Sequence, residues 1–203
     1  MAILSLFIAE GSFSRIQRAP VRSVDFTEVI LPVSKQTAVK KIAAISIGIE
    51  GINRGVTLKG KFADFWLADF HDPIFPEAYW LGANSQNNPA LRRYADTSPA
   101  SRKEDFYLFS PLNHSWPSSE YFFRGKPAEF TCDFIIHLED AGNSKTKLEV
   151  IEYRPTVTAG KRFEMPAHGL LPGFFRHIEL VPPTTEDREE LLNALRQAVE
   201  PKL

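Results

Sequence analysis

Residues 130–153 read FTCDFIIHLEDAGNSKTKLEVIEY, and their pattern decides the fold class. Phe130, Cys132, Phe134, Ile136 and Leu138 fall on one side of a period-two repeat. Thr131, Asp133, Ile135, His137 and Glu139 fall on the other. Asp140-Ala-Gly-Asn-Ser144 is a cluster of turn formers. From Lys145 to Tyr153 the alternation resumes, with Leu148 and Val150 on one face and Ile151 and Tyr153 on the other. The segment is an antiparallel hairpin. Cys132 lies on its apolar face, and the chain has no other cysteine, so an inert core thiol is the expected role.

Working outward, Phe174 to Val181 reads as a further strand, stopped by Pro182-Pro183. Thr184 with Asp187 resembles a capping box. Leu191, Leu192, Leu195, Ala198 and Val199 then form one helical stripe behind an acidic first turn. Upstream, Val24 to Leu31 reads as a strand ended by Pro32. Ser34 can cap a helix whose apolar positions are Ala38, Val39, Ile42 and Ile45. Val56, Leu58, Gly60 and Phe62 alternate with polar residues and predict a half-buried strand. The run Phe62–Phe70 suits strand or helix.

Between His71 and Pro127 the texture changes. Seven prolines break the stretch into short pieces, since proline has no amide proton for a sheet or helix interior. Aromatics are dense at Tyr79-Trp80, Phe106–Phe109 and Tyr121–Phe123, whereas residues 84–105 are polar and read as a long loop. Strands outnumber helices and look hairpin-connected. The expected class is α+β: a curved antiparallel sheet gripping a long C-terminal helix, with a Pro-rich aromatic insertion.

The bulk numbers agree with one folded domain over residues 1–203. Lys plus Arg is 24 against 25 for Asp plus Glu, and the net charge of -1 gives no reason to bind nucleic acid. No apolar run is long enough to span a membrane. The apolar start, Met1 to Ala9, lacks the basic residues of a secretory signal and reads as a buried first strand, so the expected location is cytoplasmic. The histidines, at 71, 114, 137, 168 and 177, have no pairwise metal-ligand spacing, and no nucleophile-elbow, P-loop or dinucleotide motif occurs. No metal and no cofactor is expected. The glycines at 48–55 have the wrong spacing for a phosphate loop and read as turns.

The order of elements resembles the START-like, or Bet v 1-like, superfamily, in the polyketide cyclase-like manner. The strand Phe26–Leu31, the Pro32-Val33-Ser34 helix entry, the hairpin Phe130–Tyr153, the strand Phe174–Val181 and the helix Thr184–Val199 carry that likeness. It is topological. Residues 1–22 stand outside it as an extension. The resemblance implies a cavity between sheet and C-terminal helix that binds an apolar or aromatic small molecule. It leaves open whether the protein is an enzyme, because the superfamily holds both binding and catalytic members.

Six residues are candidates for such a ligand site: Arg176, Tyr153, His168, Trp80, Tyr107 and Trp116. Arg176 shares a strand face with Phe174, Ile178 and Leu180; either it lies near a sheet end and reaches water, or it needs a partner, which Glu152 on the stripe of Leu148 and Val150 could supply. His168 lies in the loop Met165–Gly173 between two prolines and can act as donor or base, or sit in water. Trp80, Tyr107 and Trp116 belong to an aromatic set that lines a pocket or builds plain core. Two other readings stand beside a binding protein. One is a cyclase-like or hydrolase-like enzyme on the same fold. The other is an interaction module that presents the aromatic insertion. A lipocalin-type barrel is the alternative fold, and the early helix speaks against it.

Overall fold

The computed structural model describes residues 16–20, 27–48, 54–111, 114–164 and 173–200. In chain order they form β1 (Gln17–Arg18), β2 (Glu28–Leu31), α1 (Lys35–Ala43), β3 (Ser46–Gly48), β4 (Arg54–Val56), β5 (Trp66–Asp69), α2 (Ala78–Ala83), α3 (Pro89–Ala95), β6 (Phe106–Phe109), β7 (Trp116–Phe123), β8 (Lys126–Gly142), β9 (Lys145–Glu164), β10 (Gly173–Leu180) and α4 (Glu186–Val199). All ten strands join one antiparallel sheet. The class is α+β, with a curved sheet and a C-terminal helix.

The hairpin β8–β9 is the spine of the sheet. Its turn places Gly142, Asn143 and Ser144 at positive φ, and Gly142 pairs with Lys145, which leaves the two-residue connection that matches strand twist. Each long strand changes neighbour halfway. β8 pairs with β7 near Phe130 and with β6 near Ile136. β9 pairs with β2 near Leu148 and with β10 from Thr156 onward. The change falls at a bulge. Thr131 opposes Thr156 but Asp133 opposes Tyr153, so β9 carries one extra residue there. Arg154 takes it up at φ 54, and Pro155, with no amide proton, follows at once.

The alternation read from the sequence holds along the hairpin. Phe130, Cys132, Phe134, Ile136, Leu138, Leu148 and Val150 join one buried cluster with Phe62, Phe65 and Trp116. Ala38 and Ile42 of α1 and Leu191, Leu195 and Val199 of α4 close it. On the opposite face, Ile135, Ile151, Tyr153 and Tyr107 form a second cluster under Leu81, Leu91 and Tyr94 of α2 and α3. Helices therefore cover both faces, with α2 and α3 on the side away from α4.

Several expectations are corrected. Residues 84–105 are not a long loop. Asn88 accepts from the Leu91 amide as an N-cap, Pro89 opens α3, and Ala90, Leu91 and Tyr94 are buried. The predicted strand through Phe62 stops at Val56, because Gly60 at φ 64 turns the chain into a single 3-10 turn over Gly60–Phe62. Phe62–Phe70 resolves into that turn followed by β5. Thr184 does not cap α4. Glu120 of β7 does so: its Oε1 accepts the amides of Thr185 and, at 3.2 Å, Glu186, while Arg18 neutralises Oε2 at 2.9 Å. The apolar start and most of the 48–55 glycine stretch lie outside the described residues. No described helix is long and apolar enough to cross a membrane.

Candidate functional site

The bulge at Arg154 shapes a crevice of about 330 Å3 on the face away from α4, beyond the reach of α2 and α3. Its floor is the sheet: Thr131 and Asp133 of β8, Arg154, Thr156 and Thr158 of β9, and Arg176 and Ile178 of β10. The segment leading from β6 to β7 forms its wall through Ser110, Pro111, His114 and Ser115. Hydroxyls and guanidinium groups supply most of its polar lining, and Pro111, Cys132 and Ile178 border it as well.

Asp133 is the best-fixed polar group here. The Tyr107 hydroxyl donates to its Oδ2 at 2.6 Å. The Ser110 amide and hydroxyl donate to Oδ1 at 2.8 and 3.2 Å. Burial pushes the Asp133 carboxyl up, and these donors with the Arg154 charge pull against it. Burial and the adjoining carboxylate push the Tyr107 hydroxyl well above its ordinary value, so it stays a donor. Arg154 is exposed and lies 5.7 Å from the Tyr153 ring centroid. A branched-at-neither-carbon but bulky residue at positive φ is uncommon, and such local strain collects at binding sites. His114 anchors the wall: its Nε2 sits 2.9 Å from the Lys61 carbonyl, and its own carbonyl accepts from Thr131 Oγ1 at 3.1 Å.

Three of the sequence candidates converge on this place. Arg176 lines it directly, Tyr107 holds Asp133, and Tyr153 lies beneath Arg154. Of the two readings of Arg176, the one that reaches water from a sheet end agrees with the structure, and the buried pair with Glu152 is corrected. Arg176 is exposed, and its partner is Glu129 at 3.6 Å rather than Glu152. Ile178 and Leu180 on the same strand face are exposed as well, because no described helix covers that end of the sheet. Trp116 lies in the cluster on the opposite face and donates through Nε1 to Asp187 at 3.2 Å. Trp80 projects from α2 at 56% exposure, against Tyr79. His168 lies outside the described residues. Sequence reasoning missed Asp133, Arg154 and His114. Pro155 inside an otherwise regular strand was the available signal for the bulge.

Two other polar groups are buried away from the crevice. Glu152, fully buried under α4, accepts from Thr184 through its amide at 3.0 Å and its hydroxyl at 2.5 Å. Burial raises its carboxyl to about 8, with the nearby Asp187 charge adding to the shift and the Thr184 bonds opposing it. Asp187 in turn pairs with Lys61. On the other face, Asp105 takes the Tyr94 hydroxyl at 2.9 Å, His137 Nδ1 at 2.7 Å and the Leu138 amide at 3.0 Å. Both sets have their polar atoms turned inward and bonded, which suits them to fixing the fold. Cys132 is buried, its thiol pushed well up by burial, and it donates to backbone carbonyls, so it is no nucleophile.

No group of three or more His, Cys, Asp or Glu side chains among the described residues is placed to hold a metal ion. No protein-family model matches the chain, and comparison with curated proteins and with solved structures gives no match.

Proposed function

We propose that the protein binds a small polar molecule bearing one acidic group, in the crevice at the β8–β9 bulge. The observation that carries this reading is Arg154. It is held at positive φ beside a carboxylate that Tyr107 and Ser110 fix in place, and it shares one concavity with Arg176. A guanidinium presents a planar fork that suits a carboxylate or phosphate oxygen pair. The hydroxyls of Ser115 and Thr158 offer donors and acceptors to the rest of the ligand, and those of Thr131 and Thr156, whose protons go to backbone carbonyls, offer acceptors. Asp133 and Glu129 offset part of the positive charge, which favours a monoanion over a more highly charged group.

The topological resemblance to START-like proteins supports a binding role, and membership of that superfamily is part of this proposal. The ligand differs from the one the resemblance implies. The aromatic side chains near α4 pack into the core cluster, whereas the open concavity carries charged groups and hydroxyls beside its apolar surface and lies on the other face. Binding suits the crevice better than catalysis. Asp133 accepts two hydrogen bonds on Oδ1 and one on Oδ2, which suits it to positioning its neighbours.

Native mass spectrometry of the purified protein tests the proposal. A retained anionic molecule in the wild type, absent from the Arg154→Ala, Arg176→Ala double variant, supports it. Retention unchanged in that variant overturns it. So does a bare wild-type mass with no thermal shift across a panel of hydroxy acids and phosphate monoesters.

A further inference from the structure

Arg102 lies in the turn before β6 and is 4% exposed. A guanidinium carries five N–H donors. Among the described residues this one makes a single hydrogen bond, from Nη2 to the Thr97 carbonyl at 3.1 Å, and rests 5.6 Å from the Tyr94 ring centroid. Its Nε is buried without a partner. Asp105, three residues on, is not its counter-ion, because both Asp105 oxygens are taken by Tyr94, His137 and the Leu138 amide. A buried charge left this short of partners is costly, and native proteins seldom keep one without a use for it.

Arg102 also forms part of a pocket of about 340 Å3 in the aromatic insertion. Phe70, Pro73, Phe75, Pro76, Ala78 and Pro99 supply the apolar walls, and Asp72 and Glu77 complete the lining. We propose that this pocket binds a small monocarboxylic acid with an apolar or aromatic body, its carboxylate seated on Arg102. The guanidinium fork matches a carboxylate in two-point contact. The proline and phenylalanine walls suit a ring or short aliphatic chain. The two acidic side chains repel a dianion about twice as strongly as a monoanion, which favours a carboxylate over a phosphate monoester. The pocket shares no residue with the Arg154 crevice, so the two sites stand or fall separately.

Phenylacetate, titrated into the full chain by calorimetry, is the probe, with phenylacetamide and inorganic phosphate as controls. Phenylacetate is expected to bind at least about tenfold more tightly than phenylacetamide, since a charge-assisted hydrogen bond separates the two. Phosphate is expected not to bind at this site. Arg102→Met should abolish phenylacetate binding. Because that change empties a buried site and can loosen the turn, Ala78→Trp is the second variant. Ala78 is exposed at the start of α2 and lines the pocket, so an indole there fills the opening while leaving Arg102 in place. Loss of binding in a folded Ala78→Trp protein supports the site. Equal affinity for phenylacetate and phenylacetamide overturns it, as does binding that survives Ala78→Trp. Absence of binding, or binding lost only in the Arg154→Ala, Arg176→Ala variant, also overturns it.

Discussion

The two faces of the sheet handle polar groups in opposite ways. Under α1 and α4, aromatic rings interlock: Phe62 meets Phe65 and Phe134 edge-on at 5.6 and 5.7 Å, and Trp116 meets Phe130 at 5.4 Å. Among the ionisable groups that enter this face, Glu152 and Asp187 are bonded within it. Beyond α2 and α3, the same two central strands present threonines, an aspartate and Arg154 to an open crevice, to which β10 adds Arg176. A single strand pair thus builds a sealed core on one side and a receptive surface on the other. The bulge at Arg154 marks where the second face stops being covered. Conserving volume matters on the first face, and charge matters on the second.

Truncation should expose the contrast most strongly. Phe134→Ala is expected to destabilise by about 3–5 kcal/mol, because a fully buried ring among other rings leaves a cavity that neighbours cannot fill. Thr158→Ala in the crevice should stay within about 0.5 kcal/mol. Chemical denaturation of both variants checks the pair. Similar losses at the two positions would mean that the crevice is structural core.

The sealed face also makes a prediction about pH. The Glu152 carboxyl, ordinarily near 4.5, is raised to about 8 by burial, so the folded state holds its proton more tightly than the unfolded state. Its contribution to stability is complete below about 4.5 and is lost as pH climbs through 8. The steepest slope is about 1.4 kcal/mol per pH unit for one proton. Glu152→Gln keeps the shape, can still accept from the Thr184 amide, and has no charge to bury. Wild type and variant should be closest in stability at pH 5, with the variant increasingly ahead toward pH 8. Asp133 and Glu149 are also raised by burial and give slopes of the same sign, but these cancel in the difference between the two proteins. Denaturation midpoints at pH 5, 6.5 and 8 read it out, and parallel curves would place Glu152 as an ordinary carboxylate.

What the sequence disclosed follows from the range of its signals. The hairpin was legible because alternation is local and both halves carry it. Helix α4 was legible because its stripe runs for several turns. Helix α3 was hidden because seven residues give little periodicity, and Arg92 and Arg93 on its exposed side gave the segment a polar look, although Asn88-Pro89 is a proper helix start. The facing of Arg176 was ambiguous for another reason. Its strand carries apolar residues on both sides, so period two could not say which side is inward. Glu120 reaches the α4 amides across 65 residues of chain, and nothing local announces that. The crevice depends on one inserted residue in β9, and a one-residue slip leaves composition untouched while moving every later side chain to the other face.

Arg154 offers the finest test of the comparison, because strain and function can be separated there. A non-glycine residue in the left-handed region carries a penalty of about 1–2 kcal/mol, and glycine does not, though glycine gives back roughly 0.5–1 kcal/mol through unfolded-state entropy. Arg154→Gly should therefore leave stability unchanged or raise it by up to about 1.5 kcal/mol, while ligand retention in the crevice is lost. That outcome means that the arginine is kept at a strained position for its guanidinium and not for the fold. A loss of more than about 1 kcal/mol would mean the reverse. The guanidinium's approach to the Tyr153 ring and its attraction to Asp133 would then be what holds the bulge in shape, and the open face would be built by the same rule as the sealed one.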